Sequence, residues 1–144
     1  MLVQQILSAK STGGVVTIKP GSTIAEAVKL LAERRIGAVI VSPDGSSVAG
    51  ILSERDIVRE LGQRGTDCLS DRVDTVMTAK IVGCAPGDTT DGVLRKMTDG
   101  RFRHMPVMQG EAMIGLISIG DVVAARLSEL AMEKDALEGM IKGF

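Results

Sequence analysis

The 144-residue chain has almost no aromatic side chains: it contains two Phe and neither Trp nor Tyr. Proteins that bind single-stranded nucleic acid stack bases on aromatic rings and follow the phosphates with a basic groove. Here 17 Lys and Arg stand against 18 Asp and Glu, so the formal net charge is −1. Both features argue against a nucleic-acid partner. Because 44% of the residues are hydrophobic, the chain is expected to fold around an aliphatic core.

Metal-ligating and membrane-spanning patterns are also missing from the sequence. The only two cysteines, Cys68 and Cys84, form no CxxC pair, and a single His is present to complete a metal set. We therefore expect no metal site and a reduced, cytoplasmic protein. The N-terminal segment lacks the basic and apolar regions of a signal peptide. No apolar run approaches the roughly 20 residues of a membrane span, so no membrane partner is expected.

The sequence contains an internal repeat, which determines how the rest is interpreted. Residues recur in order at a shift of 66, then 65 after a turn, and 70 near the N-terminus. The matched pairs are Val16/Val82, Pro20/Pro86, Gly21/Gly87, Thr23/Thr89, Arg35/Arg101, Val41/Val107, Gly50/Gly115, Ser53/Ser118, Asp56/Asp121, Val58/Val123, Val3/Val73, Ala9/Ala79 and Lys10/Lys80. Ordered identities that cluster at turns indicate a duplicated unit.

Each copy is predicted to form a β-α-β-β-α unit preceded by a short amphipathic helix. The predicted strands are Val15–Ile18, Ala38–Val41 and Val48–Leu52 in the first copy, and Ile81–Cys84, Met105–Val107 and Met113–Ile117 in the second. A unit of about 60 residues leaves one sheet face uncovered and is marginal alone. The prediction is an α+β fold of two repeats packed sheet to sheet around a pseudo-twofold axis. Its divisions are 1–64 with the N-terminal helix, 65–127 with a linker helix, and a helical extension at 128–144.

The C-terminal helix allows two interpretations. Between Asp121 and Gly139 it meets neither Gly nor Pro, and its apolar residues follow a spacing of three and four that Lys134 interrupts: Val123, Leu127, Leu130, Leu137 and Ile141. Such a stripe packs either on its own domain or on a second helix in a dimer.

Two related segments carry the strongest functional signal, Gly50–Asp56 and Gly115–Asp121. Each places Gly and two aliphatic residues on a strand, followed by Ser-x-x-Asp at the start of a helix. One interpretation is structural, because Ser and Asp at this spacing cap helices. The other is a nucleotide site, since a carboxylate accepts both hydroxyls of a ribose and a helix start binds phosphate. The repetition at the carboxyl ends of strands favours a site, although capping alone stays open.

The duplicated pattern, these two segments and the strand entry Arg101-Phe-Arg-His-Met-Pro-Val107 together resemble tandem CBS domains, the cystathionine-β-synthase-type pair called a Bateman module. The resemblance covers residues 1 to about 127 and implies a stand-alone regulatory module of bacterial type. Such modules bind adenine nucleotides or adenosyl ligands in two clefts between the repeats. The ligands implied are AMP, ADP, ATP, NAD(H) or S-adenosylmethionine.

The resemblance also implies the ligand-binding residues. Asp56 and Asp121 would bind ribose, with Ser53 and Ser118 near phosphate. Adenine would lie between aliphatic side chains beside short strands. The implied set is Thr17, Ile18, Gly37, Ala38, Ser53, Arg55, Asp56, Val82, Cys84, Arg103, His104, Ser118, Gly120 and Asp121.

The two clefts are expected to differ in charge. Basic residues at the positions of Arg103 and His104 reach phosphates in the family, whereas the first copy has Gly37 and Ala38 there. The cleft nearer Arg103, His104 and Arg55 should suit a phosphate-rich ligand better. Arg55 has an alternative role, an ion pair with a neighbouring acid on its own helix.

No catalytic motif is evident in the sequence: it has no G-x-G-x-x-G, no Walker loop and no Ser/His/Asp set. We therefore expect a non-catalytic nucleotide sensor that forms a homodimer and acts through an unidentified effector protein. The alternative is a structural dimerisation or partner-binding module without a small-molecule ligand.

Overall fold

The structure is a computed structural model that describes residues 1–10 and 14–141. Five α-helices, two 3-10 helices and five strands are assigned within these ranges. In chain order they are α1 (Val3–Ala9), β1 (Thr17–Ile18), α2 (Ile24–Arg34), β2 (Ala38–Val41), β3 (Gly50–Ser53), α3 (Glu54–Arg64), 3-10 helices at Gly65–Ser70 and Val73–Thr75, α4 (Thr90–Gly100), β4 (His104–Gln109), β5 (Ala112–Ser118) and α5 (Ile119–Ile141).

The chain divides into two compact units. The first-repeat unit comprises Gly13–Val82 together with Gln109–Ile114, and the second-repeat unit comprises Met1–Thr12, Gly83–Met108 and Gly115–Phe144. The short segment around Met113 belongs with the first-repeat unit because the Met113 amide donates to the Ser46 carbonyl at 2.9 Å.

A three-stranded sheet lies at the centre of the first-repeat unit. β1 is parallel to β2, and β2 is antiparallel to β3 with Ala38 opposite Ser53 and Val41 opposite Gly50. All four residues of β2 are buried, as expected for a central strand covered on both faces. The buried cluster is wholly aliphatic and draws on both helices: Ile24, Ala27, Leu31, Val39, Val41, Leu52, Ile57 and Val73.

The sheet of the second-repeat unit is formed by the His104–Met108 part of β4 and the Gly115–Ser118 part of β5. Two residues join β4 to β5, a connection that requires antiparallel strands. Cys84 extends this sheet by one parallel bridge to Val107. Its core again contains no aromatic residue that is fully buried: Val3, Ile6, Cys84, Val93, Met97, Met105, Val107, Ile117 and Val122. The predicted aliphatic core is therefore present in both units.

The two pre-strand segments are exchanged between the repeats. α1 precedes the first repeat in sequence but packs in the second-repeat unit, where the Val3 amide donates to the Asp88 carbonyl at 2.9 Å. Val73 precedes the second repeat but packs in the first-repeat unit, where its amide donates to the Ser22 carbonyl at 2.8 Å. The sequence division placed the N-terminal helix with residues 1–64, whereas in the structure it lies with the elements of the second repeat.

Glycines permit this exchange at equivalent positions of the two repeats. A Cβ on Gly115 would lie 2.5 Å from the Leu7 side chain, and one on Gly50 would lie 2.3 Å from the Met77 sulfur. A Cβ at either position would therefore require the neighbouring side chain to shift, whereas glycine accommodates it as it stands.

The α+β class predicted from the sequence is confirmed, with local differences. β1 is shorter than the predicted strand at Val15–Ile18, and the predicted strand at Ile81–Cys84 is reduced to the single bridge at Cys84. Gly65 ends α3 with φ at 66°, and the linker that follows contains the two 3-10 helices. The predicted extension at 128–144 continues α5 without a break as far as Ile141, and residues 142–144 lie outside the described part of the chain.

Candidate functional site

The two Ser-x-x-Asp segments form reciprocal caps at the starts of α3 and α5. The Ser53 amide donates to Asp56 Oδ2 at 2.9 Å, while the Asp56 amide donates to Ser53 Oγ at 3.3 Å. The same two bonds join Ser118 and Asp121, at 2.9 and 3.1 Å. The structural interpretation of the motif is therefore correct, and the caps fix each aspartate in the helical turn that follows the end of a strand.

The first strand of each pair brings a second set of predicted site residues to the same place. The Glu54 amide donates to the Gly37 carbonyl at 2.9 Å, and the Ile119 amide donates to the Arg103 carbonyl at 2.8 Å. These bonds hold Gly37 and Ala38 beside the start of α3. They hold Arg103 and His104 beside the start of α5.

The remaining predicted site residues lie on the neighbouring short strands. The Ile18 carbonyl accepts from the Ser42 amide at 2.9 Å, and the Cys84 carbonyl accepts from the Met108 amide at 2.8 Å, so Ile18 and Cys84 occupy equivalent positions. Thr17 pairs with Ile40, two residues along β2 from Ala38. Val82 is exposed and belongs to the first-repeat unit, whereas Cys84 belongs to the second-repeat unit.

Asp56 is held by a cation from its own helix. The Arg59 guanidinium donates to Asp56 Oδ1 at 2.8 Å, and the Asp56 residue is only 7% exposed. Arg55 is exposed. The ion pair of Asp56 is thus made by Arg59, one turn further along α3, instead of by the adjacent arginine.

Asp121 is held by a cation from a distant segment. The Lys10 ammonium, at the end of α1, donates to Asp121 Oδ2 at 2.8 Å and to the Leu116 carbonyl at 2.9 Å. Burial raises the pKa of Asp121, but the hydrogen bonds from Lys10 and Ser118 outweigh it, so the pKa lies below its ordinary value of 3.8. The carboxylate is therefore ionised at neutral pH.

Lys10 and Arg59 contact the two candidate aspartates, although neither belongs to the set predicted from the sequence. The match between Lys10 and Lys80 in the repeat singles out Lys10 in the sequence. Nothing in a single sequence, however, shows that α1 packs in the second-repeat unit. Cys84, which was included in the predicted set, is 6% exposed, and burial raises the pKa of its thiol to about 11. It is a packing residue without nucleophilic character at neutral pH.

A surface groove of about 520 Å³ adjoins the first-repeat site. It runs between α2 and α3 and includes Gly37 and Glu54, whose backbones are joined at the site. Its other walls are mainly apolar: Val28, Leu31, Ala32, Arg35, Ile36, Ile57 and Val58.

Comparison with known families decides the identity of this arrangement. The sequence pattern of the CBS domain matches residues 5–63 and 73–128. The chain belongs to the CBS-domain family. The resemblance deduced from the repeated motifs is thereby confirmed, and the two matches correspond to the two sequence repeats.

Individual CBS-domain proteins resemble most of the chain. The mitochondrial CBS domain-containing protein CBSX3 of Arabidopsis thaliana is 36% identical over 125 residues, which are 84% of this chain and 61% of the plant protein. The chain thus spans less than two thirds of that relative. The crystal structure of the CBS-domain containing protein ATU1752 from Agrobacterium tumefaciens is 41% identical with a TM-score of 0.83, covering 88% of this chain and 99% of the other.

A more distant CBS-domain structure shares the fold. The CBS domain protein PAE2072 from Pyrobaculum aerophilum, which was crystallised with AMP, is 24% identical with a TM-score of 0.78, covering 92% of this chain and 99% of the other. Within residues 1–10 and 14–141 of the present chain, no helix is long and apolar enough to cross a membrane. In the same part of the chain, no group of three or more His, Cys, Asp or Glu is placed to hold a metal ion.

Proposed function

We propose that this CBS-domain protein is a non-catalytic regulatory module that binds adenine nucleotides at the starts of α3 and α5. The observation that carries the proposal is the duplicated arrangement of Ser and Asp at the end of a strand, with the same backbone bonds in both units. A capping role alone explains the two hydrogen bonds between each Ser and its Asp. It does not explain why both aspartates also bind a cation and lie beside the neighbouring strand.

The chemistry of each site suits a nucleotide. Asp56 and Asp121 supply carboxylates that suit the hydroxyls of a ribose, and the partial positive charge at the start of each helix favours a phosphate nearby. The predicted adenine contacts are the backbone and aliphatic groups of β1, β2 and their equivalents, which need no aromatic residue. The proposed ligand-binding residues are those predicted from the sequence.

AMP, ADP and ATP are the preferred ligands of this proposal, with NAD(H) and S-adenosylmethionine as further adenine-containing candidates. The AMP complex of PAE2072 supports an adenine nucleotide. Arg103 and His104 at the start of α5 favour the second-repeat unit for a ligand rich in phosphate. The module would act by shifting the population of its own conformations, or those of an effector protein, on binding.

A thermal-shift screen tests the proposal. AMP, ADP, ATP, NAD(H), S-adenosylmethionine and guanine nucleotides are added separately to the purified chain. A ligand at 100 times its Kd should stabilise the fold by about 2.7 kcal/mol, which raises Tm by several degrees for a protein of this size. Asp56→Asn and Asp121→Asn should each reduce the shift, whereas Asp135→Asn on the exposed surface of α5 should leave it unchanged. If no nucleotide raises Tm, the sensor proposal is wrong.

A second candidate function, a dimerisation module, is supported by α5. Val122, Ala125, Arg126 and Glu129 lie on its less exposed face. The apolar stripe begins one residue later, and a helix turns about 100° per residue, so the stripe lies on a separate face. Several of its members are well exposed, Leu127 by 62% and Leu137 by 59%.

We propose that a second copy of the chain covers this stripe, in antiparallel orientation. In a parallel pairing, Lys134 of the two copies would face each other in the seam. In an antiparallel pairing centred on residue 132, Lys134 faces Leu130 of the second copy and lies beside its Glu133. The remaining layers are then apolar, Leu127 with Leu137 and Val123 with Ile141, so charge favours the antiparallel homodimer.

Sedimentation equilibrium tests the dimer. Leu137→Glu places a charge in the seam and should convert dimer to monomer. Met132→Glu is the matched control, because Met132 is also exposed, by 56%, but lies on the opposite side of the helix. A monomeric wild type, or equal dissociation of both variants, would contradict the antiparallel seam. The dimer is compatible with nucleotide binding, and a dimer without any nucleotide response would favour the second candidate.

The cytoplasm is the compartment that we propose for the protein. Both cysteines are free and buried, as in proteins of reducing compartments. Fractionation of cells that produce the tagged full-length protein tests this assignment, and recovery from an organelle would overturn it.

A further inference from the structure

The two repeats obtain the cation at their aspartate in different ways. In the first-repeat unit, Arg59 binds Asp56 from within α3. The residue that matches Arg59 in the second repeat is Ala124, which has no charge to offer. Lys10 supplies the cation there instead, although its own match in the repeat, Lys80, is exposed. The cation of the second-repeat site thus depends on the exchanged segment.

Lys10 is placed to contact a ligand as well as Asp121. Its two bonds, to Asp121 and to the Leu116 carbonyl, use two of the three N–H donors of the ammonium. The side chain is 34% exposed, so part of it faces solvent, where a third acceptor can approach. Lys10 and Ser118 both donate to Oδ2, which directs ribose hydroxyls towards Oδ1 and places the ammonium next to the ribose.

The charge around Asp121 favours an anion. Lys10 neutralises the carboxylate, which alone would repel a phosphate. The start of α5 contributes a partial positive charge, and Arg103 is fixed beside it by its backbone bond to Ile119. A phosphate next to the ribose gains from this field, whereas a neutral nucleoside does not.

We propose that Lys10 is a ligand-binding residue of the second-repeat site and that it makes this site select nucleotides with a phosphate over neutral nucleosides. The inference rests on the proposed nucleotide-binding function and identifies one ligand class for one of its two sites.

Calorimetric titration with AMP and with adenosine tests the inference. All variants carry Asp56→Asn, so that the second-repeat site is measured alone. Lys10→Met should weaken AMP binding about tenfold, the effect of one charge-assisted hydrogen bond, and adenosine binding by less than about twofold. Lys10→Arg should retain the preference for AMP. Lys80→Met is the matched control and should bind both ligands as the parent does.

The outcomes separate the inference from the function on which it rests. Equal losses for AMP and adenosine would mean that Lys10 only positions Asp121, and unchanged AMP affinity would mean that it does not contact the ligand; either result overturns the inference alone. If the parent and the wild type bind neither compound, both proposals fail. Circular dichroism checks the folding of each variant. Should Lys10→Met not fold, Lys10→Gln gives the same comparison with a polar side chain.

Discussion

The two repeats share a backbone frame but differ in the side chains that supply charge to it. The Ile24 amide bonds to the Asp71 carbonyl at 2.9 Å, and the Thr90 amide bonds to the Met1 carbonyl at 3.0 Å, so even the exchanged segments dock by equivalent hydrogen bonds. In contrast, the cation at the aspartate is local in one unit and distant in the other. The comparison teaches that duplication fixed the path of the chain, whereas the charged groups at its two sites diverged.

The largest expected effect comes from filling the close contacts of the exchanged segments. Gly115→Ala and Gly50→Ala should each lower the free energy of unfolding by about 1–3 kcal/mol, because the added Cβ overlaps a neighbour. Leu7→Ala should recover much of the loss at Gly115, where only side-chain atoms intrude. Met77→Ala should recover less at Gly50, because the Thr78 carbonyl also lies 3.0 Å from the new Cβ.

Chemical denaturation measures these four free energies of unfolding. The Gly62→Ala variant, where a Cβ meets nothing within 4 Å, is the control. If Leu7→Ala and Met77→Ala recover the lost free energy of unfolding equally, the two segments are held by side-chain packing alone.

A smaller effect is expected from the charge on Asp121. Its pKa is lowered in the folded state, so the ionised form stabilises the protein above pH 3.8, and this contribution is lost as the pH falls through the lower folded value. Asp121→Asn should therefore cost about 1 kcal/mol at pH 7 and almost nothing well below pH 3.8. Denaturation curves at several pH values measure the difference from wild type.

The pH series has a matched control in Asp135→Asn, on the exposed part of α5. A constant difference between wild type and Asp121→Asn at every pH would mean that the ion pair with Lys10 does not stabilise the second-repeat unit.

The smallest effect concerns the arginines that end α2 and α4. Arg35 and Arg101 both adopt left-handed backbone, with φ at 54° and 56°, a conformation in which a Cβ is unfavourable. Replacing either residue by Gly should raise the free energy of unfolding by about 0.5–1 kcal/mol. Thermal melts compare the two variants, and a gain in one unit only would show that the two helix ends are not equivalent.

Local features of the fold could be predicted because short-range chemistry determines them. Thr23 and Glu26 have the spacing of a capping box at a helix start, and in the structure the Thr23 hydroxyl accepts from the Glu26 amide at 3.2 Å. The central strands were visible as apolar runs bounded by turn residues. Spacing within one segment was sufficient for each of these predictions.

Features that depend on long-range contacts could not be predicted in the same way. The apolar residues Val3 and Ile6 indicate that α1 has a buried face, but not which sheet covers it. The prediction of a strand at Ile81–Cys84 is wrong for a related reason. A strand extends only as far as a neighbouring strand pairs with it, and here the pairing is limited to one bridge, between Cys84 and Val107. Lys10 was overlooked at the site because its position follows from that of α1.

The exchange of pre-strand segments has a consequence for a chain of half this length. Such a chain would contain one repeat, and no segment would cover the strand that carries its glycine. The segment that precedes its own repeat would fit the same strand of a second, identical chain. Two of these short chains would form a domain-swapped dimer by exchanging the segments that precede their repeats. Joining them in tandem turns the trade into an intramolecular event, so that assembly no longer depends on concentration.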